Sequence, residues 1–267
     1  MIIISQLVYE SLPWLLALIY NKEKYASKDT NICFHLNLAT NYSKSDLIML
    51  KNKSILLNPH RIVVKVGDGS ILMGHLMNYK YANSRTQFSH IIFASSNMFW
   101  IRKGIEQYVY HFQHSVGLEG IRHKTLTAPL HMRKSNVYNV ISKNHTKELW
   151  SYHEGTFYPN AVVGRFLTFL SDKFDDEYLI AHSYFPEEFW LQTYMLNFEQ
   201  NYSFHRQSLP LCWRIPGVKS NPRDSIVTHD IIDNLSCRYY AIKRVLRDLS
   251  FLPTIRIQNL SNQRCTT

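Results

Sequence analysis

The first 36 residues constrain the fold most. Met1-Ile2-Ile3-Ile4-Ser5 is a short apolar run suited to a buried strand, and Leu12, Leu15, Leu16 and Ile19 recur at helical spacing up to Tyr20. Asn31 to Leu36 reads as a second strand. Strand, helix and strand within ~35 residues is the size of a βαβ unit, whose parallel strands end together at a ligand-facing edge. The alternation continues. Ile62 to Val66 reads as a strand, Gly69 to Ala82 as a helix, His90 to Ala94 as a strand, and Ile101 to Phe112 as helical.

From Gly117 to Leu149 the periodicity fades and polar residues accumulate, which predicts a long loop or an inserted helical segment. Helices are expected again at Ala161 to Leu170 and Phe185 to Leu196. Pro-bearing stretches at Leu209 to Pro216 and Asn221-Pro222 then lead to a last amphipathic helix at His229 to Leu249. No internal repeat or Ser/Gly linker divides the 267 residues. The expectation is one α/β domain built on a nucleotide-binding sheet, mostly parallel and flanked by helices.

Composition narrows the class. Hydrophobic residues make up 45% and there are only 9 Gly and 9 Pro, which excludes a disordered chain. Cys33, Cys212, Cys237 and Cys265 are far apart, with no metal-binding or disulfide-framework spacing. Ile2 to Tyr20 contains Glu10 and Pro13 and lacks a basic leader, so no membrane span or signal peptide is expected in it. A cytoplasmic enzyme, or a soluble domain of a longer protein, follows as the expectation. The formal charge of +10 points to an anionic ligand, either a polymer or a small phosphate.

The phosphate-binding patterns GxGxxG and GxxxxGK[ST] are absent. Gly67-Asp68-Gly69-Ser70 is the nearest Gly-rich turn, between a strand and a helix, where Asp68 or Ser70 also serves as a helix cap. Pro186-Glu187-Glu188 before Phe189 and Trp190 is a common helix start, since Pro and acids suit the first turn. Successive helical positions lie ~100° apart, so the two carboxylates cannot both face the core, and one is free to act as a base. Arg238 to Arg247 gathers several cations, which suit a solvated face or a diphosphate neutralised without metal. Asp172 and Asp175 to Glu177 are expected in a loop after a helix.

In order along the chain, these segments resemble the core-2/I-branching β-1,6-N-acetylglucosaminyltransferases and peptide O-xylosyltransferases. The opening strand, a helix ending in Ile19-Tyr20, and Phe34-His35-Leu36-Asn37 match that family's first strand, helix and "HVD" strand end, with Asn37 in place of Asp. Phe93 to Phe99 is similar to its "LSGxDxP" segment and Glu154 to Arg165 to its "GSxYxxLSR" segment. Pro186 to Thr193 is similar to "PDExxxxT", and Tyr240 to Val245 to "FAxKF".

The resemblance implies a GT-A-like nucleotide-sugar-binding domain and an inverting glycosyltransferase. It would use a UDP-sugar (GlcNAc, Xyl or Gal) to form a β-linkage on a glycan hydroxyl, without a metal cofactor. By position Glu188 is the catalytic base and Lys243 the diphosphate ligand, with its arginine partner open among Arg206, Arg214, Arg223 and Arg238. His35, Asp68, Ser95 and Ser96 are expected at the donor, and Glu154, Tyr158 and Trp190 at the acceptor. Two alternatives stay open: a metal-dependent transferase using Asp68 or Asp175 to Glu177, and a basic nucleic-acid-binding protein. Scattered cations and the lack of a known nucleic-acid signature rank the second lower.

Overall fold

A computed structural model describes residues 1–112, 136–141, 153–199, 211–213 and 239–243. Strand β1 (Ile2–Val8) lies at the centre of a five-stranded sheet. On one side are β2 (Thr30–Leu36) and β3 (Leu56–Leu57), and on the other β4 (His90–Ser95) and β6 (Phe157–Pro159), giving the order β3-β2-β1-β4-β6. All pairs are parallel except β4 with β6. Every residue of β1 is buried, as a strand covered on both faces requires.

The pleat divides the core in two. Ile2, Ile4, Ile92 and Ala94 face a layer containing α1 (Leu12–Tyr25) and α4 (Ile105–Phe112). Ile3, Ile91 and Phe93 face the opposite layer, with α3 (Ser70–Arg85), α5 (Asn136–Ile141), α6 (Asn160–Ser171) and α8 (Trp190–Phe198). Alternation of side chains along each strand thus builds a mixed α/β fold with a mostly parallel central sheet flanked by helices, as the sequence predicts. Among the described residues no helix is long and apolar enough to cross a membrane.

Four expectations are corrected. Ile62 to Val66 is not a ladder strand, although it runs beside the end of β2. Side chains of β2 and its exit occupy its backbone groups: Ile62 N donates to His35 Nε2 at 3.2 Å, and Asn37 Nδ2 donates to Val64 O at 2.9 Å. Phe185 to Leu196 is not one helix either. Phe185 has φ 47°, a left-handed conformation, and a 3-10 turn (Pro186–Glu188) precedes the separate α8. Asp175 to Glu177 is no loop: the Asp175 carboxylate accepts from Tyr178 N at 2.6 Å and caps α7 (Asp176–Ala181).

The fourth correction concerns the last expected helix, of which residues 239–243 are described. Ala241–Lys243 forms strand β8, antiparallel to β5 (Met98–Trp100) and parallel to β7 (Cys212–Trp213), in a second, three-stranded sheet. Ala241 and Ile242 are fully buried there, so tertiary pairing overrides helical spacing. Within Gly117 to Leu149, the described residues beyond the sheet form the short helix α5. Helix α2 (Lys44–Lys51) was not anticipated; Ser43 and Asp46 close its N-terminus as a capping box.

Candidate functional site

A cavity of about 260 Å³ opens at the carboxyl ends of β1 and β4. Strand order reverses here: the chain proceeds outward from β1 to β2 on one side and returns to β4 on the other. Crossovers leaving in opposite directions open a crevice at such a point, which is where open α/β sheets bind ligands. Leu7 to Tyr9 and Ala94 to Asn97 supply the strand ends, Asn37 and Val64 to Val66 one wall, and Ile71 and His75 of α3 another. His153, Glu154 and Lys243 complete it.

Backbone bonds bring these last residues together from distant parts of the chain. Gly155 N donates to Phe93 O at 2.8 Å and Leu211 N to Gly155 O at 3.1 Å, while Ala241 N donates to Leu211 O at 2.9 Å. Gly155 has φ 78°, and a Cβ there would lie 2.5 Å from Cys212 N, so only glycine allows the crossing. The register of β8 against β5 sets Lys243 opposite Met98. Glu154 Oε1 consequently forms an ion pair with Lys243 Nζ, and His153 Nε2 stands 3.8 Å from the same oxygen. Glu154 is 5% exposed, and its Oε2 has no hydrogen-bond partner among the described residues.

His75 also lines the cavity, completely buried, stacked on Phe93 with ring centroids 4.4 Å apart and with its ring centroid 5.8 Å from that of His153. Burial, with His153 and His35 nearby, holds its pKa well below the ordinary histidine range, so the ring is neutral. Its Nδ1 is 2.8 Å from Ser5 Oγ, which accepts from Asn78 Nδ2 at 3.0 Å. Asn78 also donates to Cys33 O at 2.9 Å and accepts from Asn58 Nδ2 at 3.1 Å.

Apart from Glu188, the expected site residues divide into four groups. Ser95, Ser96, Glu154 and Lys243 line the cavity, which brings a carboxylate expected at the acceptor against the lysine expected at the donor. His35 and Asp68 act as struts. His35 braces Ile62, and Asp68 Oδ1 accepts from Ser70 N at 2.9 Å and from Ser70 Oγ at 2.5 Å at the start of α3. Tyr158 and Trp190 are sealed in the core at 0% and 1% exposure, leaving no ring face for a sugar. Arg206 and Arg238, like Arg214 and Arg223, lie outside the described residues.

Glu188 sits on the 3-10 turn, half-buried, beside Glu187. Glu187 is 3% exposed with Oε2 unpartnered among the described residues. Burial pushes its pKa up to about 8, and the charges of Glu188 and Asp68 add to the rise. The turn packs beside the loop that leads into α3: a Cβ at Gly67 would meet Phe185 Cζ at 3.8 Å and Tyr184 Cε2 at 3.9 Å, next to Val66 of the cavity wall. Among the described residues no group of three or more His, Cys, Asp and Glu side chains is arranged to hold a metal ion.

Sequence reasoning passed over His75, His153 and Lys65. A signal for His75 was present: His75 and Asn78 are three apart on one helical face, opposite the lone Ser5 in an Ile-rich strand.

No family model matches the chain, and no curated protein matches it. Among solved structures it is similar to S. aureus TarS, with TM-score 0.36 and 11% identity over 62% of this chain and 29% of that one. The structure of S. aureus TarS 1-349 in complex with UDP-GlcNAc gives TM-score 0.35 and 11% identity over 61% and 46%. The complex with UDP gives the same score and identity over 61% and 48%. This chain spans less than half the length of each. At these scores the likeness is remote, and the fold rests on its own strand order.

Proposed function

We propose that this chain is an inverting, metal-independent glycosyltransferase of GT-A-like fold. It moves a sugar from a nucleotide-sugar, a UDP-sugar carrying GlcNAc, Xyl or Gal, to a hydroxyl of a glycan acceptor. The observation that carries this reading is the cavity at the β1/β4 strand ends, with Ser95, Ser96 and Lys243 in its wall. At ~260 Å³ it falls below the ~300–1,000 Å³ typical of whole small-molecule sites, so it admits one ring of the donor while the remainder lies across the mouth.

Lys243 is the group that meets the diphosphate. Its ammonium has three donors, so it can retain Glu154 and still donate to a phosphate oxygen as negative charge develops on the leaving group. An arginine, Arg206 or Arg238, is the proposed partner. Glu188 is the proposed base that takes the proton from the attacking acceptor hydroxyl. Its buried neighbour supports that role: burial raises the Glu187 pKa to about 8, so Glu187 is largely protonated at neutral pH, and Glu188 is the more accessible carboxylate of the turn. The left-handed Phe185 that sets this turn is a costly conformation for a bulky residue, and strain of this kind gathers at functional sites.

The test is a thermal-shift panel of UDP-GlcNAc, UDP-xylose and UDP-galactose with and without EDTA, followed by transfer assays on wild type and Glu188→Gln. At least one UDP-sugar is expected to raise the melting temperature equally in EDTA. The variant is expected to keep that shift while transfer falls by roughly 10²–10⁴-fold. Transfer by Glu188→Gln at near wild-type rate would remove the base assignment. Salt-sensitive oligonucleotide binding with no response to any UDP-sugar would move the chain to the nucleic-acid-binding class.

A further inference from the structure

Among the buried polar atoms on the cavity wall, His75 Nε2 and Glu154 Oε2 have no hydrogen-bond partner among the described residues. Buried polar groups are nearly always satisfied, and each one left bare costs free energy that a ligand can recover. The two are also of opposite kind. Asn78 Nδ2 already donates to Ser5 Oγ, so the Ser5 hydroxyl proton is available for His75 Nδ1. With Nδ1 accepting in a neutral ring, the single imidazole proton resides on Nε2. His75 therefore offers a donor and Glu154, held by Lys243, offers an acceptor.

We infer that the cavity floor is a monosaccharide subsite in which His75 Nε2–H donates to one sugar hydroxyl and Glu154 Oε2 accepts from another. A hydroxyl both donates and accepts, so one sugar ring satisfies the two bare atoms together, and it has the size the cavity admits. A phosphate suits the floor poorly, because it would face the Glu154 carboxylate. Lys243 consequently stands between the two parts of the donor, gripping Glu154 on the sugar side and the diphosphate on the other. Ser5 and Asn78 are positioning residues that fix the tautomer of His75 and do not touch the ligand.

This inference rests on the nucleotide-sugar reading, and the test separates the two. Dissociation constants for UDP and for the UDP-sugar that gives the largest thermal shift are measured by calorimetry on wild type, His75→Phe and His75→Gln. Phenylalanine keeps the stack on Phe93 and removes the donor, whereas glutamine restores an N–H. The expected result is UDP-sugar affinity weakened roughly 5–10-fold in His75→Phe, largely recovered in His75→Gln, with UDP affinity unchanged in both.

Equal loss of UDP and UDP-sugar affinity, or no loss of either, overturns the subsite. Should His75→Phe fail to fold, Glu154→Gln takes its place: it exchanges a carboxylate oxygen for an amide at the same size. The same selective loss of UDP-sugar affinity is expected there, and its absence likewise overturns the subsite. If wild type binds UDP but discriminates against no sugar-free analogue, the subsite fails while the nucleotide reading stands. If wild type binds neither compound, both fail.

Discussion

Two buried glutamates in this protein have been treated in opposite ways. Glu154 is 5% exposed and ion-paired with Lys243, on a turn stitched by backbone bonds to β4 and to Leu211, whose carbonyl in turn accepts from Ala241 N. Glu187 is 3% exposed, the charges of Glu188 and Asp68 add to the rise of its pKa, and among the described residues no cation is paired with it. The first is built to remain charged, the second to remain neutral. A buried carboxylate is tolerable in either state, but only the charged one makes its surroundings depend on a specific partner. The sheet edge is therefore an electrostatically assembled site, whereas the 3-10 turn is a packed one that leaves Glu188 to carry the charge.

The sharpest way to break this contrast is to remove the partner. Lys243→Met leaves Glu154 as an uncompensated buried charge and is expected to destabilise the protein by about 3–5 kcal/mol in urea denaturation at pH 7. Adding Glu154→Gln to that variant should recover most of the loss, because the double variant has no charge to bury. A double variant as unstable as Lys243→Met would mean that the lysine stem, rather than the pair, supports β8. Next in size is Gly155→Ala, where φ 78° and a Cβ 2.5 Å from Cys212 N combine. An expected loss of about 2–4 kcal/mol follows from the backbone penalty and the forced separation of the Glu154–Gly155 turn from β7.

The same contrast explains what could be read from the sequence. The β1-α1-β2 unit, α3 and β4 were legible because their apolar periods are local and each is long enough to repeat. Glu154 and Lys243 were each named as candidates, but their pairing was not visible, because it depends on β8 adding to β5 and on the Gly155 crossing. Three-residue strands such as β8 carry too little pattern to be told from a piece of helix. Tyr158 and Trp190 were misplaced for a related reason: an aromatic side chain packs equally well in a core or against a sugar, and only the surrounding layers decide. His35 and Asn37 show the converse. Their polar side chains, with one main-chain bond from Leu38 N to Ile62 O at 3.0 Å, bind the backbone of residues 62–64, so a segment that reads as a strand by composition forms no ladder.

Glu187 gives the last test, through pH. Its pKa rises from 4.5 to about 8 on folding, so the folded state holds the proton more tightly than the unfolded chain. Between those two values the unfolded chain has lost that proton while the folded protein keeps it, and stability falls as pH rises. Below about pH 4.5 the penalty is absent; above about pH 8 it is complete. Glu187→Gln, a neutral side chain of the same size, should therefore match wild type in stability near pH 4.5 and exceed it by a margin that grows as pH rises toward 8. Denaturant midpoints across that range provide the measurement. A variant whose stability tracks wild type at every pH would mean that Glu187 is charged in the fold, and that Glu188 shares the turn with a second negative charge. In that case Glu187 would compete for the role of base, and the pH profile of transfer in Glu187→Gln would decide between the two carboxylates.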